Sequence, residues 1–319
     1  MILPRLKGQT FARRILETGM QSGRTASAYL FYGPPGCGKK TAALDLAGAI
    51  LAGGSEAEDS LRHRIVAGLH PDVRLFSPAG ASFKVEQIRE LLKDTSLRPF
   101  EGEKRVFILD RVEALTDSSS NALLKTIEEP PQGFTWILVT TQRSKVLPTI
   151  ASRCQAVRFH PLDEATLRDV LTRELKVDAA RARDLSALGG GSVKQAAWFE
   201  TEDGKAMLEQ AEGFLEAAAS GSTLACLDWA EAANSDRRSL DQLLNVVWVL
   251  LRERWALSHG LPAAQQLLSV PPRHGKSLPP KTLELLMQAV TGCQAALARN
   301  ANIALALDNL CLAAQRPAA

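Results

Sequence analysis

The sequence predicts an α/β domain followed by two all-helical ones. Three observations carry this. Short apolar runs of strand length alternate with helical patterns up to Pro161. Strand-like runs then stop, and alanine, leucine and charged residues dominate. From about Gly204 onward the apolar spacing is helical throughout. Alternation of strands and helices implies a parallel sheet covered by helices on both faces.

Taken in order, Tyr29 to Tyr32 is a short apolar run that ends in a glycine-rich turn, and Thr41 to Leu51 reads as a helix. Val73 to Phe76 is a second strand. Val85, Ile88, Leu91 and Leu92 share one helical face. Val106 to Leu109 is a continuous apolar run, as expected of a strand buried on both sides. Ser118 to Glu129 is helical and stops at Pro130 and Pro131. Trp136 to Thr140 and Ala156 to Phe159 complete the sheet. Asp163 to Leu175, Ala179 to Leu188 and a segment beginning at Ser192 read as three short helices. Beyond them run two long stripes. One is Leu240, Leu243, Leu244, Val247, Leu250 and Leu251; the other is Leu283, Leu286, Val290, Cys293 and Leu297. Val270 to Pro280 is a proline-rich, basic loop. The boundaries drawn on this pattern are 1–161, 162–203 and 204–319.

Bulk properties fit a globular chain of this kind. The sequence has 319 residues, 45% of them apolar and 23% charged, which suits two or three domains. A formal net charge of +3 does not by itself predict a strongly DNA-binding surface. Cys37, Cys154, Cys226, Cys293 and Cys311 show neither zinc-ligand spacing nor a disulfide framework. The segment MILPRLKGQTFARR has no apolar stretch of signal-peptide length, and the run Val246 to Leu251 is too short to span a bilayer. The expectation is a cytoplasmic protein with no membrane association.

Gly33-Pro34-Pro35-Gly36-Cys37-Gly38-Lys39 follows a strand and opens a helix. It fits the first seven positions of the phosphate-binding loop G-x-x-x-x-G-K-[ST]. Glycines at 33, 36 and 38 let backbone N–H groups turn toward phosphates, the helix N-terminus adds positive potential, and Lys39 reaches the β- and γ-phosphates. The competing reading is a glycine turn with no ligand. The eighth position is Lys40, where a serine or threonine hydroxyl normally ligates Mg²⁺. Thr41 is one step on, rotated by about 100° around the helix. ATP binding is therefore possible but doubtful, with Mg²⁺ if it binds, and metal-assisted hydrolysis is in question.

The strand Val106 to Leu109 ends in Asp110, the position at which such proteins hold the metal shell. As an alternative it caps the following turn. The next residue, where ATPases of the larger class place a water-orienting glutamate, is Arg111, which cannot act as a base. Glu113 lies two residues further and could serve instead as a helix N-terminal carboxylate. Lys40 and Arg111 both point to impaired hydrolysis.

These residues resemble a known family. Ala28-Tyr29-Leu30-Phe31 before the phosphate loop, the run Asn121 to Pro131 (NALLKTIEEPP), and Leu147 to Cys154 (LPTIASRC) are similar to the bacterial clamp-loader subunits of the AAA+ class, as are Gly8-Gln9 and Asn300-Ala301-Asn302. The resemblance is dense over 1–160 and thin beyond. It implies a P-loop AAA+ sheet domain, a helical lid and a C-terminal collar domain. Its gamma/tau type hydrolyses ATP and carries a four-cysteine zinc module. Leu51 to Leu69 has no cysteine in that place, so no zinc is expected. The degenerate loop and Arg111 resemble the delta-prime type, a largely non-hydrolysing stator. By the same resemblance, Arg153 of the Ser-Arg-Cys motif is an arginine given in trans to ATP on a neighbouring subunit; the alternative is an arginine paired to a local carboxylate. Thr140 and Thr141 resemble the first nucleotide sensor, or cap a turn. Lys194 in Gly191-Ser192-Val193-Lys194 stands at the second sensor, or is a solvated lysine. The implied partners are gamma/tau and delta subunits, the sliding clamp and primed DNA, as part of the DNA polymerase III holoenzyme.

Two other functions compete. One is an active gamma/tau-like ATPase using Thr41 and Asp110; the other is an AAA+ module for DNA repair or remodelling. His63 and His70 lack partners at ligand spacing and read as surface or core residues. Trp248 and Trp255 read as core or subunit interface, and Arg237-Arg238 and Arg273-His274-Gly275-Lys276 as solvated charge in preference to DNA contacts.

Overall fold

The structure is a computed structural model that describes residues 2–23, 25–53, 57–78, 80, 82–95, 97–261, 268 and 278–315. The basic segment Arg273-His274-Gly275-Lys276 lies outside the described residues. Two compact units make up the chain, Met1–Thr166 and Leu167–Ala319.

The first unit contains β1 (Ala28–Tyr32), β2 (Val73–Phe76), β3 (Arg105–Asp110), β4 (Phe134–Thr140) and β5 (Gln155–Arg158). Its helices are α1 (Thr10–Gln21), α2 (Lys39–Leu51), α3 (Asp59–Val66), α4 (Val85–Asp94), α5 (Asp117–Glu128) and α6 (Pro148–Ala151). The strands form one parallel sheet in the order β2-β3-β4-β1-β5. Each continuous apolar run serves two faces, because successive side chains point oppositely. Tyr29, Phe31, Val106, Ile108, Ile137 and Val139 enter the core shared with Leu16 of α1 and Leu46 of α2. Ala28, Leu30, Phe107, Leu109, Trp136 and Leu138 enter the opposite core with Ile88, Leu91, Leu123 and Ile127 of α4 and α5. The central strands β3, β4 and β1 are nearly wholly buried, whereas the edge strands are partly exposed, β2 at Arg74 and Leu75 and β5 at Gln155 and Arg158. That is the pattern of an edge, where one side has no neighbouring strand.

Two charged groups tie this unit together. Arg105 is 1% exposed and opens β3. Its Nη1 donates to the carbonyls of Asp94 at 2.7 Å and Leu97 at 3.2 Å, and its Nε lies 3.6 Å from Asp72 Oδ1. The guanidinium also sits over the rings of Phe100, Phe107 and Phe134. Near the start of the chain, Arg5 pairs with buried Asp45 of α2 at 2.6 Å, anchoring the first residues to the helix behind the phosphate loop.

His70 is buried beside this network. Its Nδ1 accepts from the Asp72 N–H at 3.1 Å, and burial holds its pKa below the usual 6.5 despite the Glu101 carboxylate 3.5 Å from Nε2. The unfolded chain therefore takes up the proton at higher pH than the fold does. Stability referable to His70 is fully present above about pH 6.5 and is lost as the pH falls toward its folded pKa. Thermal melts of wild type and His70→Asn should diverge less in acid than at neutral pH, since the asparagine oxygen keeps the acceptor without titrating. Equal acid sensitivity in both would show that His70 contributes none of it.

The second unit is helical, as the sequence predicts. It contains most of α7 (Glu164–Glu174), with α8 (Ala179–Gly189), α9 (Val193–Trp198), α10 (Glu202–Ser220), α11 (Thr223–Ala233), α12 (Arg237–Ser258), α13 (Pro280–Ala298) and α14 (Ile303–Ala314). Side-chain oxygens of Asp178, Ser192, Thr201, Ser222 and Asn302 accept from the third residue of the helix each one opens, which fixes where those helices begin. Ser192 is thus a cap, one residue before its helix. Both sequence stripes are buried: α12 packs on α10 and α13, and α14 on α11 and α13. The two tryptophans of α12 differ from the stripe. Trp248 is 36% exposed, and half-buried Trp255 donates its indole N–H to Glu284 at 2.9 Å. No helix among the described residues is long and apolar enough to cross a membrane.

Candidate phosphate-loop site

The parallel register sets the site. Tyr32 of β1 pairs with Thr140 of β4, and Asp110 of β3 with Val139. The C-terminal ends of the three central strands therefore lie side by side, where ligands of open α/β sheets bind. Gly33 to Gly38 leave β1 at that edge, and α2 begins at Lys39.

Glycine is required at the loop's turning points. Gly33, Gly36 and Gly38 have φ of +146°, +72° and +93°. A Cβ on Gly33 would stand 2.2 Å from the Phe159 carbonyl oxygen. That carbonyl region is held by Gln9, which the sequence marks only through the resemblance at Gly8-Gln9. Its side-chain NH₂ donates to the carbonyls of Cys37 at 3.1 Å and His160 at 2.6 Å, and its oxygen accepts from the His160 N–H at 3.0 Å. One buried amide thus clamps the loop to the end of β5.

Lys39 is buried and folds back on its own loop. Its ammonium donates to the carbonyls of Gly33 at 2.7 Å and Pro34 at 2.5 Å. Burial lowers its pKa, partly offset by Cys37, Glu113 and Asp110. Cys37 is buried too, its thiol donating to the Pro34 carbonyl at 2.9 Å, with burial pushing its pKa up. The cradle and Lys39 fit nucleotide phosphates in residue type and backbone shape.

The metal position does not fit Mg²⁺. The Lys40 ammonium lies 3.8 Å from Asp110 Oδ2. Where a hydroxyl and a carboxylate would both offer oxygen to the cation, a second cation already faces the carboxylate. Thr41 follows on α2 and is partly exposed.

Beyond Asp110 the chain turns sharply. Arg111 is exposed and left-handed, with φ of +63°. It starts a short 3-10 turn, Val112–Ala114, that carries Glu113 toward the end of β4. Glu113 Oε1 accepts from the Thr141 hydroxyl at 2.6 Å and the Thr141 N–H at 3.2 Å. Its Oε2 is buried with no hydrogen-bond partner. Burial raises the Glu113 pKa, but hydrogen bonding, led by the bond from the Thr141 hydroxyl, outweighs it and leaves the net value low. Thr140 accepts from the Gln142 N–H at 3.0 Å and so also closes a turn. Glu113 is the residue whose placement sequence spacing could not give.

Arg153 follows α6. Its Nε lies 2.6 Å from Glu128 Oε1 and its Nη1 donates to the Thr149 carbonyl at 3.0 Å, with 40% of the side chain exposed. The local carboxylate of the competing reading is thus present, and it fixes the guanidinium's direction without burying it. Lys194 lies in the second unit, exposed on the first turn of α9.

Comparison with known proteins follows the same lines. Residues 8–163 match the family described as "DNA polymerase III, delta subunit". The chain is 38% identical over 165 residues to the DNA polymerase III subunit delta′ of Bacillus subtilis, covering 50% of each chain. It is 35% identical over 175 residues to the delta′ subunit of Pseudomonas aeruginosa, covering 52% of this chain and 53% of that one. To the gamma/tau subunit of Mycobacterium tuberculosis H37Rv it is 34% identical over 198 residues, covering 59% of this chain and 34% of that one. The chain therefore spans about half the length of the delta′ relatives it matches, and less of the gamma/tau relative. Over residues 8–163, which make up most of the parallel-sheet unit, the chain is thus similar to DNA polymerase III subunits of the delta-prime type.

Proposed function

We propose that the chain acts as a largely non-hydrolysing stator of a DNA polymerase III clamp loader in the cytoplasm. In that role it joins gamma/tau ATPase and delta subunits, assists ATP-driven loading of the sliding clamp on primed DNA, and gives Arg153 to ATP on a neighbouring subunit. The observation that carries this reading is the Lys40–Asp110 pair at 3.8 Å, which opposes the metal that hydrolysis needs. Arg111, in the place of a water-orienting glutamate, acts in the same direction. Arg153 supports the trans role because it is both positioned and exposed. In this reading residues 1–161 are the AAA+ domain, 162–203 the lid and 204–319 the collar through which subunits join.

Reconstitution tests it. The chain mixed with gamma/tau and delta subunits of the same organism should elute as one hetero-oligomer in size-exclusion chromatography. Separate elution at micromolar concentrations would oppose the assignment.

A further inference from the structure

The phosphate loop has kept its cradle and exchanged its metal for a lysine. That combination points to a ligand of definite charge. Lys40 faces Asp110 at 3.8 Å, the place of the metal, and supplies one positive charge where Mg²⁺ would bring two. Glu113 adds a carboxylate on the other side. It bonds the Thr141 hydroxyl, which by resemblance would sense a γ-phosphate, and it leaves a buried, unpartnered Oε2 beside it. Lys39 and Lys40 are thus both faced by the carboxylates of Asp110 and Glu113. The near end is unaffected: the left-handed glycines 36 and 38, the start of α2 and Lys39 still suit two phosphates.

We infer that this site takes a nucleoside diphosphate without a divalent metal, and that Glu113 discriminates against the triphosphate. This rests on the stator reading, and deepens it by giving the silent loop a ligand. Phosphate oxygens would take the place of the Gly33 and Pro34 carbonyls as partners of Lys39. Lys40 screens Asp110 from the ligand's charge. A third phosphate would meet the Glu113 carboxylate in place of a sensor hydroxyl, a like-charge contact in a partly buried setting.

Isothermal titration of the purified full chain with ADP and with ATP, each in EDTA and in excess Mg²⁺, tests this. ADP should bind in EDTA at least as well as with Mg²⁺, and about ten-fold tighter than ATP, the scale of one like-charge contact. Glu113→Gln should shrink the ADP preference to about three-fold or less. Lys40→Ser should make binding depend on Mg²⁺. A need for Mg²⁺ in the wild type, equal affinity for ATP, or no binding of either nucleotide would overturn the inference. If neither binds while Arg153→Ala still lowers hydrolysis by the assembled loader, the inference fails and the stator reading stands. If Mg²⁺-bound ATP binds and is turned over by the chain alone, both fail.

Discussion

Replacing Arg153 by alanine should lower ATP turnover at the one neighbouring site it reaches by about a thousand-fold, the lower end of what an arginine given in trans contributes. The assembled complex would lose that site's share of total hydrolysis. The physical reason is charge. A guanidinium held against the γ-phosphoryl group neutralises negative charge that builds up only in the transition state, and it cannot be deprotonated away. Glu128 and the Thr149 carbonyl hold the group in one direction at the surface. Glu128→Gln should therefore reduce turnover by a smaller factor, because it loosens the arginine without removing it. The chain itself should melt as the wild type does, since the ion pair is 40% and 42% exposed at its two ends, and such pairs contribute little to stability. Unchanged turnover in the alanine variant, with assembly intact, would remove the trans role and leave Arg153 as a local ion-pair partner.

The second large effect is on stability. Arg105→Ala should cost about 3–5 kcal/mol, the scale of breaking a buried pair by removing one partner. Asp72 would keep its bonds from the N–H groups of Phe100 and Glu101, both 2.8 Å, but lose the cation that faces it. The carbonyls of Asp94 and Leu97 would lose a donor, and three aromatic rings a packing partner. Melting of the first unit should drop by about 10 °C, at roughly 2–4 °C per kcal/mol. Trp136, the one tryptophan in that unit, lies in β4 against Phe107, so its fluorescence in a single-tryptophan background reports the transition. Arg105→Met should cost less, because it restores apolar volume. A drop of only a degree or two in the alanine variant would show that water replaces the guanidinium at low cost.

The sheet was legible wherever one physical signal sufficed. Val106 to Leu109 and Trp136 to Thr140 are apolar throughout because both faces are covered, and no loop residue looks like that. Strand beginnings were not legible. Arg105 reads as a boundary in sequence, yet it is strand and buried, since its partners come from distant residues 72, 94 and 97. Helix α1 escaped although Ala12, Leu16 and Met20 share a buried face, because the stripe is narrow and flanked by polar residues. Short helix α3 buries Ile65 and leaves Val66 exposed, too little periodicity to find.

The site divides in the same way. The glycines and Lys39 are set by local chain geometry, so spacing alone places the turn between β1 and α2. Lys40 and Arg111 were legible as departures from a pattern. Their consequence was not, because it depends on which carboxylate each faces. Asp110 meets Lys40 only through the parallel register of β3, β4 and β1. Glu113 reaches Thr141 only because Arg111 adopts a left-handed turn that sequence does not announce. Arg153 stood out in sequence only through the Ser-Arg-Cys motif, and its tie to Glu128, 25 positions earlier on α5, was not legible because it depends on how α5 and α6 come together.

The most direct test is steady-state ATP hydrolysis by the purified chain alone, with Mg²⁺, beside a Lys39→Ala control. The account predicts no turnover above that control. Mg²⁺-dependent turnover that disappears in Lys39→Ala would contradict it, and would make the chain a motor subunit in which Lys40 and Arg111 are compensated.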